Sequence, residues 1–282
     1  MDEQLRKRAV GAPAARSLLL TLLGEYVLPR SDGIWQETLV SSLTALDYSH
    51  QAARQAVARS ARDGWLHAER RGRKARMSLS DQARSLLSTG AQRIYSFGGG
   101  QVWDGRWLVV VLRVPERNRS VRHQLRSSLA WAGFGSLGGG VWLTPHVHRE
   151  RELGETLEQE PLAGAVSFIA EFGAVGDPEQ VVSTAWDLQQ VRERYDSFVT
   201  RFSRVRPATP ADYFREQTLL VHAWRKFPFL DPDLPEDLLP GRWPRARAHT
   251  LFVDRHERWG AAARVFFEEI EASVSPAARK AA

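Results

Sequence analysis

The sequence predicts a multidomain α+β protein with a winged helix-turn-helix head, a ferredoxin-like α+β middle domain and a helical C-terminal domain. Three observations predict it. Residues 49–79, SHQAARQAVARSARDGWLHAERRGRKARMSL, read as a helix, a tight turn and a β-hairpin with a cationic tip. Residues 106–173 alternate strand and helix in the order β-α-β-α-β. The last third is helical, interrupted by a proline-punctuated string. At 282 residues the chain is too long for one small domain. The boundaries fall at 14–97 for the head, 101–176 for the middle domain and 180–273 for the C-terminal domain.

Taken in order, residues 1–13 are charged and contain Pro and Gly, including Arg6-Lys7-Arg8, and read as a mobile arm. From Ala14, ARSLLLTLLGEYVL spaces Leu18, Leu19, Leu22 and Leu23 over a broad apolar face, a first buried helix. Residues 29–33 form a loop. Leu39, Leu43 and Leu46 place a second helix over 35–46. In the third helix Ala52, Ala53, Ala56, Val57, Ser60 and Ala61 share one half of the wheel. Gln51, Arg54, Gln55, Arg59 and Arg62 share the other. Ser49 supplies the N-cap and Asp63-Gly64 the stop. Trp65-Leu66 opens a strand, residues 70–74 make a basic turn, and Met77 and Leu79 return in alternation. Ser80 caps a further helix to about Tyr95, and Gly98-Gly99-Gly100 reads as a hinge.

RWLVVVLRVP, from Arg106 to Pro115, is the nearly continuous apolar run of a buried strand. A helix follows over 119–132, then a strand over 134–145 whose glycines signal a bulge or bend. Residues 150–160 are helical again and 165–173 form another strand. That order within 80 residues fits a ferredoxin-like sandwich. Beyond it, one helix spans 181–202, and Thr209 caps another over 210–227. FPFLDPDLPEDLLPGRWP can be neither a regular helix nor a central strand. A final helix covers 246–273.

The head carries the charge. Formal net charge is +6; residues 1–97 hold 15 Lys/Arg against 9 Asp/Glu, and the remainder 24 against 24. The whole surplus therefore lies with the helix and basic hairpin, which points to a polyanionic partner. A small-residue face lets the third helix pack closely on its neighbours, while its Gln and Arg face suits base edges and phosphates. Double-stranded DNA is the expected ligand. Gln51, Arg54, Gln55 and Arg59 are the candidates for the major groove; Arg62, Arg70, Arg71, Arg73, Lys74 and Arg76 are the candidates for phosphates. The absence of cysteine excludes disulfides, thiolate zinc sites and a cysteine nucleophile. No apolar stretch approaches the roughly 18 residues of a membrane span, and the N-terminus lacks a signal-peptide core. The expected location is the cytoplasm, on the nucleoid.

Across 14–270 the sequence resembles the PaaX family of bacterial transcriptional regulators, named for control of phenylacetic acid catabolism. The resemblance is carried by EYVLPRSDGIW and SHQAARQAVARSARDGWL in the head, and by WDGRWLVVVLRVPE and LRSSLAWAGFGSLGGGVWLTPH in the middle. HAWRKFPFLDPDLPEDLLPGRWPRARA, near the C-terminus, is the most specific segment. The resemblance implies a homodimeric repressor with the three parts above, its middle similar to the small CRISPR adaptation nuclease. It also implies an aryl-CoA thioester, phenylacetyl-CoA-like, as the small-molecule effector that releases operator DNA. The sequence departs from the family in the wing, where Ala75-Arg76-Met77 stands in place of expected aromatic residues.

Other chemistries carry less. Gly133 to Gly138 spells a dinucleotide fingerprint, but it precedes a strand and opens no helix, so no helix dipole meets a phosphate. His146 and His148 near Glu150 and Glu152 could share a face, yet surface histidines beside acids are commoner than metal sites. A metal-dependent nuclease of the middle domain is one alternative reading. It needs a carboxylate at the end of the first strand, where the sequence has Leu112-Arg113-Val114-Pro115, with Asp104 at the other end. An effector-independent DNA-binding protein is the other alternative. No catalytic residue, metal or cofactor is expected. For the effector, Arg215, His222 and Lys226 lie on one helical stripe with Trp224 and Arg225 alongside, and cations with an aromatic wall suit a CoA thioester. The competing reading pairs Arg225 and Lys226 with Asp231 and Asp233.

Overall fold

The computed structural model describes residues 13–98, 103–113, 119–158 and 164–275. The basic arm with Arg6-Lys7-Arg8, hinge glycines 99 and 100, and the strand end at Pro115 lie outside them. The described residues divide into two compact units. One contains 13–96, 202–225 and 250–275. The other contains the described parts of 97–201 together with 226–249.

The first unit opens with α1 (Ala15–Leu22), whose last turn widens into a π-helical stretch over Leu23–Val27. Then come β1 (Ile34–Trp35), α2 (Gln36–Ala45), α3 (His50–Arg62), β2 (Leu66–Arg71), β3 (Lys74–Leu79) and α4 (Asp81–Ser96). The three strands form one antiparallel sheet, β1-β3-β2. Leu18, Leu19, Leu22 and Leu23 are buried beside Leu39, Leu43, Ala53 and Val57, so the apolar spacings read from the sequence do face one core. Ser80 caps α4, its Oγ accepting from the Ala83 amide at 3.1 Å and donating to the Gly64 carbonyl at 2.7 Å.

In the second unit β4 (Arg106–Arg113), α5 (Arg119–Trp131), β5 (Gly135–Gly138), β6 (Val141–Thr144), α6 (Glu150–Glu158) and β7 (Gly164–Glu171) follow in order. The sheet is antiparallel in the order β5-β6-β4-β7. The run read as one glycine-bent strand is therefore a hairpin, and the order is β-α-β-β-α-β. Gly138, Gly139 and Gly140 all take positive φ and make its turn, with a register shift between Ser136 and Gly138. Leu108, Val110 and Leu112 of β4 pack against Leu129 of α5 and Leu153 of α6.

The reading of one helix over 181–202 is corrected to two: α7 (Pro178–Ala185) and α8 (Leu188–Arg204). Trp186 is extended between them, and Asp187 restarts the helix by accepting from the Gln190 amide at 3.0 Å. A Cβ on Gly135 would lie 2.5 Å from the Trp186 ring, so only glycine admits this indole against β5.

Next, α9 (Pro210–Trp224) belongs to the first unit and opens with a capping box between Thr209 and Asp212. Its Phe214 lies in the core against Tyr26, with ring centroids 5.4 Å apart. The proline string holds one turn of helix, α10 (Phe227–Leu230), and α11 (Arg245–Val274) ends the chain. Two acids of that string, Asp231 and Asp233, are gathered by Arg245. Its guanidinium grips both Asp231 oxygens, at 2.7 and 2.9 Å, and lies 3.3 Å from Asp233. Tyr195 donates to the same Asp231 at 2.6 Å. The partner expected for these acids, Arg225, instead donates to the Ser17 carbonyl and hydroxyl, both at 2.9 Å.

His146 is buried, with Nε2 3.1 Å from the Pro232 carbonyl, and is no surface histidine. Among the described residues no cluster of His, Cys, Asp and Glu could hold a metal. Burial, then the charge of Arg149, holds the His146 imidazole down at about 4, against an ordinary 6.5. The unfolded chain therefore takes up this proton first as pH falls from 6.5. Stability from the neutral ring is intact above 6.5 and is lost by about pH 4, on the order of 1–3 kcal/mol. We expect His146→Gln to lose less stability than the parent between pH 7 and 4.5, measured by urea midpoints.

Candidate nucleic-acid interface

The surface predicted to meet DNA is built on α3. The Ser49 hydroxyl accepts from the Ala52 amide at 3.2 Å, fixing where the helix begins, and Gly64 at φ 76° follows its C-cap. Ala53, Ala56, Val57 and Ser60 are buried. With three alanine or serine side chains among those four, α3 can sit close on α1 and α2. Gln51, Arg54, Gln55, Arg59 and Arg62 are all exposed, at the i, i+3, i+4 spacing of one helical stripe. The stripe is about 16 Å long, and a helix of this diameter fits the roughly 12 Å major groove. Arg59 donates to Gln55 Oε1 at 3.2 Å, while Arg54 and Arg62 have no ion-pair partner among the described residues.

The turn between α2 and α3 sets the stripe's angle. Asp47 takes φ 66° there, a conformation that aspartate tolerates better than most side chains, and its carboxylate holds Arg215. Arg215 is thereby a strut for the turn.

The hairpin β2–β3 pairs Arg71 with Lys74 across Gly72 and Arg73. Gly72 has φ 63°, the position a two-residue type II′ turn reserves for glycine. The six cations assigned to phosphates separate into different environments. Arg73 is exposed at the tip without an ion-pair partner among the described residues, as is Arg62 on α3. Arg70 is exposed and donates to the Gly72 carbonyl at 3.2 Å. Arg71 pairs with Glu69 at 2.8 Å, both being 62% exposed, an arrangement weak enough to exchange for a phosphate. Arg76 is bound more firmly, 2.7 Å from Asp32 and with its guanidinium 5.3 Å from the Trp35 ring centre. Lys74 donates to the Val274 carbonyl in the last turn of α11. Sequence periodicity could not separate these roles, because Asp32 and Val274 are distant in the chain.

The residues proposed for the effector have separate structural partners. His222 is buried with Nδ1 3.0 Å from the Thr21 hydroxyl. Trp224 is fully buried, donates to the Ile94 carbonyl at 3.1 Å and stacks on Phe252 at 4.7 Å. Arg225 binds Ser17 and Arg215 binds Asp47. Lys226 is exposed and belongs to the second unit. A cleft of about 1060 Å³ lies elsewhere in that unit, lined by Val182, Trp186, Leu188, Leu238 and Leu239 among others.

Asp104, weighed for a nuclease site, is tied at 2.7 Å to Arg106 at the start of β4. No described helix is long and apolar enough to cross a membrane.

Comparison with known proteins gives three family matches in chain order. They are the PaaX-like protein model over residues 14–83, the PaaX protein central Cas2-like domain over 100–182, and the PaaX-like protein C-terminal domain over 186–269. The transcriptional repressor PaaX of Escherichia coli (strain K12) is 28% identical over 265 residues, 90% of this chain and 83% of that protein. Among solved structures, the uncharacterized protein Rv0674 from Mycobacterium tuberculosis shares the fold with a TM-score of 0.62 at 20% identity. The match covers 90% of this chain and 99% of that one.

Proposed function

Since the chain belongs to the PaaX family of transcriptional regulators, we propose that it is a repressor whose winged-helix head binds operator DNA as a homodimer. In this reading residues 14–97 read the duplex. Residues 101–176 and 180–273 set the spacing of two heads and take an aryl-CoA thioester that releases the operator. The controlled genes are those of a phenylacetate-type aromatic catabolic pathway, and the protein works in the cytoplasm on the nucleoid.

The observation that carries the reading is the exposed Gln51–Arg54–Gln55–Arg59 stripe together with Arg73 at the hairpin tip, exposed and without an ion-pair partner among the described residues. The kinship with a named transcriptional repressor supports it. Gln and Arg forks make bidentate contacts to adenine and guanine edges, while the hairpin cations fix the register on phosphates. For release, the effector must bind the DNA-incompetent arrangement better than the competent one, because equal affinity shifts nothing.

Salt dependence tests the assignment. Each phosphate neutralised adds about 0.9 to the log–log salt slope. Arg73→Ala, present in both protomers, should weaken binding to every duplex and flatten the slope of the dimer by about 1.8. Arg76→Ala, whose charge is held by Asp32 and Trp35, should leave the slope nearly unchanged while lowering the melting temperature. Equal slopes for the parent and Arg73→Ala would contradict the wing's role.

A further inference from the structure

The end of α11 meets the wing inside the first unit. Phe267 is the last residue of that helix buried in the apolar core, yet the helix continues about two turns further, to Val274. Two polar contacts hold this extension. Glu271 accepts from Arg30 at 2.6 Å, and Lys74, next to Arg73 of the hairpin tip, donates to the Val274 carbonyl. The Glu271 and Arg30 side chains are 17% and 28% exposed, so this pair is better shielded from water than Arg71–Glu69.

Arg30 stands in residues 28–33, which lead into β1 and are fixed from two other sides. Arg84 of α4 donates to the Leu28 and Arg30 carbonyls at 2.9 and 3.2 Å. A Cβ on Gly33 would come 2.9 Å from the Met77 carbonyl of β3, so glycine lets the segment lie close on the sheet. Arg30 is thus a firm post to which Glu271 ties the helix end.

The wing needs such a support. Strand β1 has two residues and pairs with β3 at Met77 and Arg76. Beyond them the pairs Ala75–Arg70 and Lys74–Arg71 form a two-stranded ribbon, a geometry that is marginally stable in water by itself. The Lys74–Val274 contact falls on this ribbon, beside Arg73. A helix end also leaves carbonyls without intrahelical partners and carries partial negative charge, and a lysine satisfies both.

We propose that the last turn of α11 is a buttress that aims the wing, and that Glu271 is a positioning residue for DNA binding that touches no nucleotide. The proposal rests on the DNA-binding reading above. Its sign separates it from charge effects. Removing a carboxylate near a surface that binds a polyanion strengthens binding, and releasing Lys74 to a phosphate would strengthen it further. A loosened ribbon instead leaves Arg73 without a fixed distance to its phosphate. Binding then weakens, because DNA must order the ribbon at the cost of contact energy.

The test measures binding of the full chain to a mixed-sequence duplex of about four helical turns, long enough for two heads. Near about 0.1 M salt, Glu271→Ala should weaken binding by about 10- to 60-fold, some or all of one phosphate contact in each head of the dimer. Glu271→Gln keeps an oxygen for Arg30 and should lose about threefold, the retained hydrogen bond being neutral. It carries the test should the alanine variant fold poorly. Glu268→Ala removes an exposed carboxylate of the same helix end and should bind as tightly as the parent or slightly tighter. In an Arg73→Ala background the loss from Glu271→Ala should shrink, since the contact it positions is already gone. Binding by both Glu271 variants as tight as the parent's or tighter, or an alanine loss that adds in full to that of Arg73→Ala, would overturn the buttress while leaving DNA binding intact. A parent that binds no duplex would overturn both.

Discussion

Replacing Arg54 and Arg59 together with alanine is expected to erase most of the protein's preference for its operator over unrelated duplex. Each bidentate base contact contributes about 1–3 kcal/mol of discrimination, so the pair accounts for roughly 2–6 kcal/mol in each half-site of the homodimer, from about 30-fold to above 10⁴-fold per half-site. Both side chains are exposed on α3, and the buried face of Ala53, Ala56, Val57 and Ser60 is untouched. Melting temperature should therefore hold while specificity collapses. Arg59 is hydrogen-bonded to Gln55, so its loss also frees the Gln55 amide to adopt other directions. Titrating the double variant against operator and scrambled duplex at one salt concentration checks this. An unchanged affinity ratio would place base reading elsewhere.

Arg245→Ala should be the most destabilising single change outside the apolar cores, by about 3–5 kcal/mol. Its side chain is 8% exposed and that of Asp231 fully buried, so removing the guanidinium leaves a carboxylate in the interior whose hydrogen-bond donors among the described residues are Tyr195 and the Asp233 amide. The Leu234 carbonyl loses its donor at the same time. The double change Asp231→Asn with Arg245→Met should cost less than the single one, since no buried charge then remains. Urea titrations of the parent and the two variants decide the matter. A single variant no less stable than the double would show that the pair does not hold the proline string.

How much of this was legible in the sequence follows from the range of each interaction. On α3 the alternation of alanine with arginine and glutamine, the Ser49 cap and the Asp63-Gly64 stop are all local, and the helix lies where those signals place it. The Gly72 turn was local too. The hairpin β5–β6 was not separable from one bent strand, because each strand has only four residues and glycines fill the turn. The break at Trp186-Asp187 was hidden for another reason. Apolar spacing runs on from Val182 to Val191 as if uninterrupted, and what breaks the helix is the seat for the Trp186 ring on Gly135.

Charged residues were legible as types and not as pairs. Arg76 and Arg73 look alike in the sequence, yet Asp32, 44 residues away, holds one of them. Arg215, His222, Trp224 and Arg225 share a helix stretch rich in cations and aromatics, but their partners Asp47, Thr21, Ile94 and Ser17 lie far upstream. The same limit hid Arg245, the cation that gathers Asp231 and Asp233.

The central claim, that the outward stripe of α3 reads duplex sequence, is tested most directly by selecting DNA with the purified full chain from a pool of random duplexes at near-physiological salt. The account predicts enrichment of one inverted repeat whose half-sites lie about one helical turn, or a multiple of it, apart, and loss of that enrichment in Arg54→Ala. Recovery of an unbiased pool by the parent, or the same enriched repeat from parent and variant alike, would contradict it.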